Sequence, residues 1–142
     1  MEGTYPLKTI VVGAGAMGAC FGGVMAENGA DMCLLDDWVE HVDIIRRDGL
    51  RIDGHGGDRI TRVSATTDPS TIGKADLVLF FVKSYQTENA VRKALPLIGE
   101  HTILLTLQNG YGNHDVIERL AGKGRALVGT TFHSAVLVRA GH

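Results

Sequence analysis

Two cysteines, Cys20 and Cys33, are the only thiols in this chain, and they are not spaced as Cys-x-x-Cys. A disulfide framework or a zinc site therefore finds no support, and a reduced, cytoplasmic protein is expected. Positive charge is equally scarce, with 14 Lys and Arg against 16 Asp and Glu and a pI near 6.3. No basic excess is available to neutralise a nucleic-acid backbone or an anionic membrane, so the expected partner is a small molecule or another subunit. Long apolar runs are missing too. Met1 to Lys8 holds no stretch of signal-peptide length, and no run approaches the roughly 20 residues that cross a bilayer. The histidines His41, His55, His101, His114, His133 and His142 form no His-x-x-x-His or Glu-flanked pair, so no metal site is expected. His133 is read as a structural residue of a terminal strand. There is no internal repeat and no low-complexity segment.

What the chain does have is 142 residues at 44% hydrophobic content, enough for one buried core and a single domain over 1–142. Leu7 to Val12 is apolar and β-branched, as a buried parallel strand should be. Ala19, Cys20, Phe21, Val24 and Met25 then recur at helical spacing, and Asn28-Gly29 closes that helix. Asp31 to Leu35 reads as a second strand, followed by a helix with Trp38, Val42 and Ile45 on one face and Gly49 at its end. Leu50 to Ile52 and Arg59 to Val63 flank the glycine-rich loop 54–57 as a hairpin, whose second strand is predicted to continue through Ala65 and stop at Asp68-Pro69. Leu77 to Val82 is the most uniformly apolar run and the expected central strand. A helix with Ala90, Val91, Ala94 and Leu95 breaks near Pro96. Ile103 to Leu107, a helix with Val116, Ile117 and Leu120, and a strand from Ala126 to Gly129 complete the alternation. Strands alternating with helices imply right-handed crossovers, hence a doubly wound, mostly parallel α/β sheet of Rossmann topology.

Gly13-Ala14-Gly15-Ala16-Met17-Gly18 sits between the first strand and the first helix. In that setting Gly13 permits a tight turn, Gly15 lets a pyrophosphate approach the backbone, and Gly18 lets the helix pack on the sheet. Amides at the helix start would bind the phosphates; a strand-to-helix turn without ligand is the plainer alternative. Asp36 ends the second strand where such a unit places the acid that binds the adenosine ribose. Its carboxylate, with Asp37 beside it, would repel a 2′-phosphate and so favours NADH over NADPH. Both aspartates could instead cap the helix near Trp38. Lys83 and Gln108-Asn109-Gly110 follow parallel strands at the end where open α/β sheets bind ligands. A lysine could meet a carboxylate or ribose hydroxyl there, and an asparagine amide could fix an orientation, although both suit ordinary strand ends.

Together, Val12 to Gly18, Phe81-Val82-Lys83-Ser84-Tyr85-Gln86 and Leu107-Gln108-Asn109-Gly110 resemble the ketopantoate reductase family, the 2-dehydropantoate 2-reductases. Asp48 to Ile52 and Ala65 to Asp68 resemble that family's connecting segments, and Arg139 to His142 its turn before a second domain. The resemblance covers nearly the whole chain but only the amino-terminal half of such an enzyme. It implies an NAD(P)H-dependent oxidoreductase that reduces the 2-keto group of a small keto acid, making pantoate for pantothenate and coenzyme A. It implies that Gly13, Ala14, Gly15, Ala16, Met17 and Gly18 wrap the pyrophosphate, with Lys83 and Asn109 beside the nicotinamide ribose and substrate.

The family's general-acid lysine lies in a helical carboxyl-terminal domain with no counterpart here, so cofactor binding with little or no turnover is expected. The resemblance implies NADPH, often with an arginine just after the second strand, where this chain has Asp36-Asp37-Trp38. Two other readings stand beside this one: a dinucleotide-binding sensor or interaction module without catalysis, and a related dehydrogenase for another short keto acid. An apolar face is expected where the second domain would pack, and through it a homo-oligomer.

Overall fold

A computed structural model describes residues 6–142. Residues 1–5, on which part of the signal-peptide reading rests, lie outside them. The first half of the chain runs β1 (Thr9–Val12), α1 (Ala16–Glu27), β2 (Met32–Leu35), α2 (Val39–Asp48), β3 (Leu50–Ile52), β4 (Arg59–Thr61) and β5 (Ser64–Thr66). It continues with β6 (Ala75–Phe80), α3 (Thr87–Ala94), β7 (Ile98–Thr106), α4 (Asn113–Ala121) and β8 (Ala126–Val128). Six strands form one sheet in the order β5-β2-β1-β6-β7-β8, and every pairing is parallel. From β1 the chain builds outward in one direction, then returns to lay β6 on the other side of β1. That reversal is the topological switch point, where a crevice opens at the carboxyl ends of the strands.

Strand periodicity divides the core into two layers. Ile10, Val12, Val78, Phe80 and Leu104 face α3 and α4, where Val91, Ala94, Leu97 and Ile117 complete the layer. Val11, Leu34 and Leu79 face the other way, against Ala19, Val42, Ile45 and Leu50. Both faces of the sheet are thus covered, which explains why successive residues Ile10 to Val12 of β1 and Val78 to Phe80 of β6 are apolar instead of alternating with polar ones.

Three expectations need correction. The strand after the glycine-rich loop does not continue through Ala65. β4 pairs antiparallel with β3 in a separate two-stranded ribbon, and after a break at Arg62-Val63 the chain enters the main sheet as β5 beside β2. The buried face of α1 is not Phe21 and Val24 but Gly18, Ala19, Gly22 and Gly23. A Cβ on Gly22 would stand 2.4 Å from Leu34 Cδ2, and one on Gly23 would stand 2.6 Å from Ile52 Cδ1, so missing side chains bring α1 close to β2 and to the ribbon. Finally, no strand follows β8: His133 lies in an extended tail, its exposed ring 5.8 Å from that of Phe21.

The tail crosses above the start of α1 and ends in a tight turn. Val138 and Arg139 N–H donate to the His142 carbonyl, and Arg51 N–H of β3 donates to the Gly141 carbonyl at 2.9 Å. Leu127, Val128, Phe132, Val136 and Val138, in β8 and the tail, each expose more than half of their surface. Among the described residues, no helix is long and apolar enough to cross a membrane.

Candidate functional site

A groove of about 330 Å³ occupies the switch point, lined by Gly13, Gly15, Asp36, Val82, Lys83 and Lys93 among others. Its floor is the glycine turn. Gly13 has φ +96°, and a Cβ there would stand 2.8 Å from the Val82 backbone nitrogen. A Cβ on Gly18 would lie 1.9 Å from the Gly13 carbonyl oxygen, so Gly18 is what allows α1 to rise directly off the turn. Gly15 is different, because a Cβ there meets no heavy atom within 4 Å. Gly13 and Gly18 serve the fold; Gly15 leaves open space above the backbone.

The first α1 hydrogen bond runs from Ala19 N–H to the Gly15 carbonyl at 2.9 Å. The amides of Gly15, Ala16, Met17 and Gly18 therefore have no partner among the described residues, and they lie at the positive end of a 12-residue helix with no acidic residue in its first turn. Such a terminus suits a phosphate. A dinucleotide's pyrophosphate thus fits this turn on two counts: donors without acceptors, and a position where a side chain would obstruct but none exists.

Asp36 accepts two backbone hydrogen bonds. Its Oδ2 accepts from Ala14 N–H at 2.7 Å, tying β2 to the turn, and its Oδ1 accepts from Trp38 N–H at 2.9 Å, just ahead of α2. The carboxylate also lines the groove, and each oxygen can accept a further bond from a ribose hydroxyl. Neither aspartate caps α2, whose N-cap is Trp38 with no side-chain hydrogen bond; Lys93 of α3 pairs with Asp37 across the groove. Lys93 is a groove cation that sequence reading missed, since 56 residues separate it from its partner.

Lys83 is exposed at the end of β6 and lines the groove, while Asn109 is exposed on the adjacent β7–α4 loop, outside the lining residues. What brings these two loops together is a polar lattice beneath them. Ser84 Oγ donates to the Asn109 carbonyl at 2.6 Å. Gln108 Nε2 donates to the Val82 carbonyl at 2.7 Å and to Thr87 Oγ1 at 2.9 Å, and Thr87 Oγ1 donates to Asn113 Oδ1 at 2.8 Å. Gln108 is therefore a strut rather than a ligand-facing residue.

Thr87, 1% exposed, is the hub of that lattice. Thr87→Val preserves its shape but leaves Asn113 Oδ1 without its donor and removes one acceptor from Gln108. A loss of about 1–3 kcal/mol in urea unfolding is expected, and an unchanged midpoint would show that the lattice does not brace the loops. Burial pushes the Cys33 thiol up to about 11, which disfavours its thiolate at neutral pH.

A family model described as "Ketopantoate reductase PanE/ApbA" matches residues 9–142. The 2-dehydropantoate 2-reductase of Halobacterium salinarum is 41% identical over 136 residues, covering 95% of this chain and 45% of its own length. That of Lactococcus lactis is 35% identical over 133 residues, covering 92% and 43%. Among solved structures, the ternary structure of D-mandelate dehydrogenase with NADH and anilino(oxo)acetate matches with a TM-score of 0.88 at 31% identity, over 95% of this chain and 44% of that one. The chain spans less than half the length of the curated relatives it matches.

Proposed function

Since the chain belongs to the ketopantoate reductase PanE/ApbA family, we propose that it is the dinucleotide-binding domain of an NAD(P)H-dependent reductase of small 2-keto acids. The observation that carries this reading is the row of unpartnered amides from Gly15 to Gly18 at the switch point, with open space above Gly15. Those amides would hold the pyrophosphate, and Asp36 the adenosine ribose. Lys83 and Asn109 would stand at the nicotinamide end. When bound, the nicotinamide supplies a hydride for the 2-keto carbon. The work of the chain's own residues is to bind and orient. The Lys83 ammonium can offset negative charge on a substrate carboxylate or a developing alkoxide, and the lattice under Ser84, Gln108 and Asn113 keeps the two loops in register.

The substrate reading divides in two. The curated relatives are named for 2-dehydropantoate, which favours a pantoate-forming reductase. The match to a D-mandelate dehydrogenase carrying NADH favours a different 2-hydroxy acid, and it agrees with the acid at position 36 in favouring NADH. In either case the groove is open to solvent on this chain alone, so little or no turnover by the isolated chain is expected.

Titration of this chain with NADH and NADPH, followed by nicotinamide fluorescence, tests the reading. Saturable binding with NADH the tighter ligand is expected. Absence of binding by either at millimolar concentration overturns the proposal, and tighter NADPH overturns the assignment of Asp36.

A further inference from the structure

His41 is wholly buried, yet both of its ring nitrogens are engaged with backbone from opposite ends of the chain. Its Nδ1 accepts from Gly141 N–H at 2.8 Å, so Nε2 carries the ring proton and donates to the Ala14 carbonyl at 2.8 Å. Trp38 stacks on the ring with centroids 5.1 Å apart and planes at 16°, which fixes its tilt. Ala14 is the middle of the glycine turn, and its carbonyl belongs to the same planar peptide unit as Gly15 N–H. Whatever grips that oxygen sets the direction of the amide on its other side. Asp36 Oδ2 holds the preceding peptide through Ala14 N–H, so both peptides that meet at Ala14 are held, one by a carboxylate and one by an imidazole.

We propose that His41 is a positioning residue: it aims the Gly15 amide at the bound phosphate, and it transmits to that amide the placement of the closing turn 138–142. This rests on reading the glycine turn as a cofactor grip. The closing turn is built to hold still. Gly141 has φ +75°, a Cβ on it would stand 2.3 Å from Ile44 Cγ2, and its carbonyl accepts from Arg51 N–H. A shift of that turn moves the acceptor requirement at Nδ1, then the ring, then the Ala14–Gly15 peptide. Linkage makes the effect reciprocal: a dinucleotide that needs the aimed amide also favours the docked turn.

The test compares NADH affinity in the wild type with H41A, H41Q, G141A and V42A. Val42 is buried on the same helix and its side chain can make no hydrogen bond to either turn, so V42A controls for the loss of packing alone. H41A and G141A should each weaken NADH by about tenfold, although neither position lines the groove. H41Q, whose amide nitrogen can take the place of Nε2, should recover most of that loss. V42A should melt earlier with NADH affinity unchanged. Wild-type affinity in both H41A and G141A, or an equal loss in V42A, overturns the proposal. If the wild type binds no NADH, the cofactor reading fails, and amide exchange then decides the coupling by itself. Faster exchange at Ala14, whose N–H is held by Asp36, in G141A supports it, and unchanged exchange overturns it.

Discussion

Gly18→Ala is expected to destabilise the fold by about 3 kcal/mol or more and to abolish NADH binding, whereas Gly15→Ala is expected to keep its stability and lose only affinity. The two glycines sit three residues apart in one turn, yet they face different constraints. An added Cβ on Gly18 stands 1.9 Å from the Gly13 carbonyl oxygen, which is backbone and cannot rotate aside. Relief requires α1 to lift from β1, opening the layer that holds Ala19 and Val11. At Gly15 φ is −67°, a value alanine adopts freely, and nothing stands within 4 Å of its Cβ. Alanine there loses a few tenths of a kcal/mol as a poorer helix cap and regains a similar amount from a less flexible unfolded chain. Its methyl group would, however, occupy space proposed for phosphate, and about a tenfold loss of NADH affinity follows. Urea unfolding and NADH titration of both variants separate the cases. Equal stability losses, or a Gly15→Ala protein that binds NADH as the wild type does, would sink the division of labour.

The second large effect is on cofactor choice. Asp36→Asn is expected to shift the NADPH-to-NADH affinity ratio toward NADPH by about tenfold, roughly 1.4 kcal/mol, because a full negative charge leaves the ribose end of the groove. Asp37→Asn should shift it far less. Asp37 is already paired with Lys93, and its side chain is 87% exposed, where solvent screens it. Stability should also fall in Asp36→Asn, by about 1–2 kcal/mol. The amide has only one acceptor oxygen, and two backbone amides, those of Ala14 and Trp38, now rely on the carboxylate. Parallel titrations of both variants with the two dinucleotides measure the ratio; an unchanged ratio in Asp36→Asn would remove Asp36 from cofactor selection.

Most of the architecture could be read in advance because its signals are local. The apolar runs at β1, β6 and β7 are bounded by glycine or polar residues, and the helices between them carry apolar residues at helical spacing. Where reading failed, the determining contact was distant or lacked a hydrophobic signature. A helix face made of Gly18, Gly22 and Gly23 is silent in any hydrophobic pattern, so Phe21 and Val24 drew attention that belonged to glycine. The break at Arg62-Val63 depends on β5 finding β2, a pairing some 30 residues away in sequence. At the site, the glycine turn and Asp36 were legible from spacing. Lys93 and His41 were not, since their partners, Asp37 and Gly141, lie 56 and 100 residues away. Gln108 was singled out by its neighbours Asn109 and Gly110, but its role in bracing the loops emerged only when Thr87 and Val82 arrived beside it.

The reversal of strand order also sets a schedule for the nascent chain. β1 is the earliest strand to leave the ribosome, and one of its edges pairs promptly with β2, whose register begins at Thr9 and Met32. The other edge waits for Leu77 to Phe80, the residues that match Thr9 to Val12. Until then the strand beneath the glycine turn is half dressed, an open template that invites wrong pairings and holdase chaperones. The phosphate grip is encoded by residues 13–18, but it cannot acquire its final shape until the chain has been made as far as Phe80.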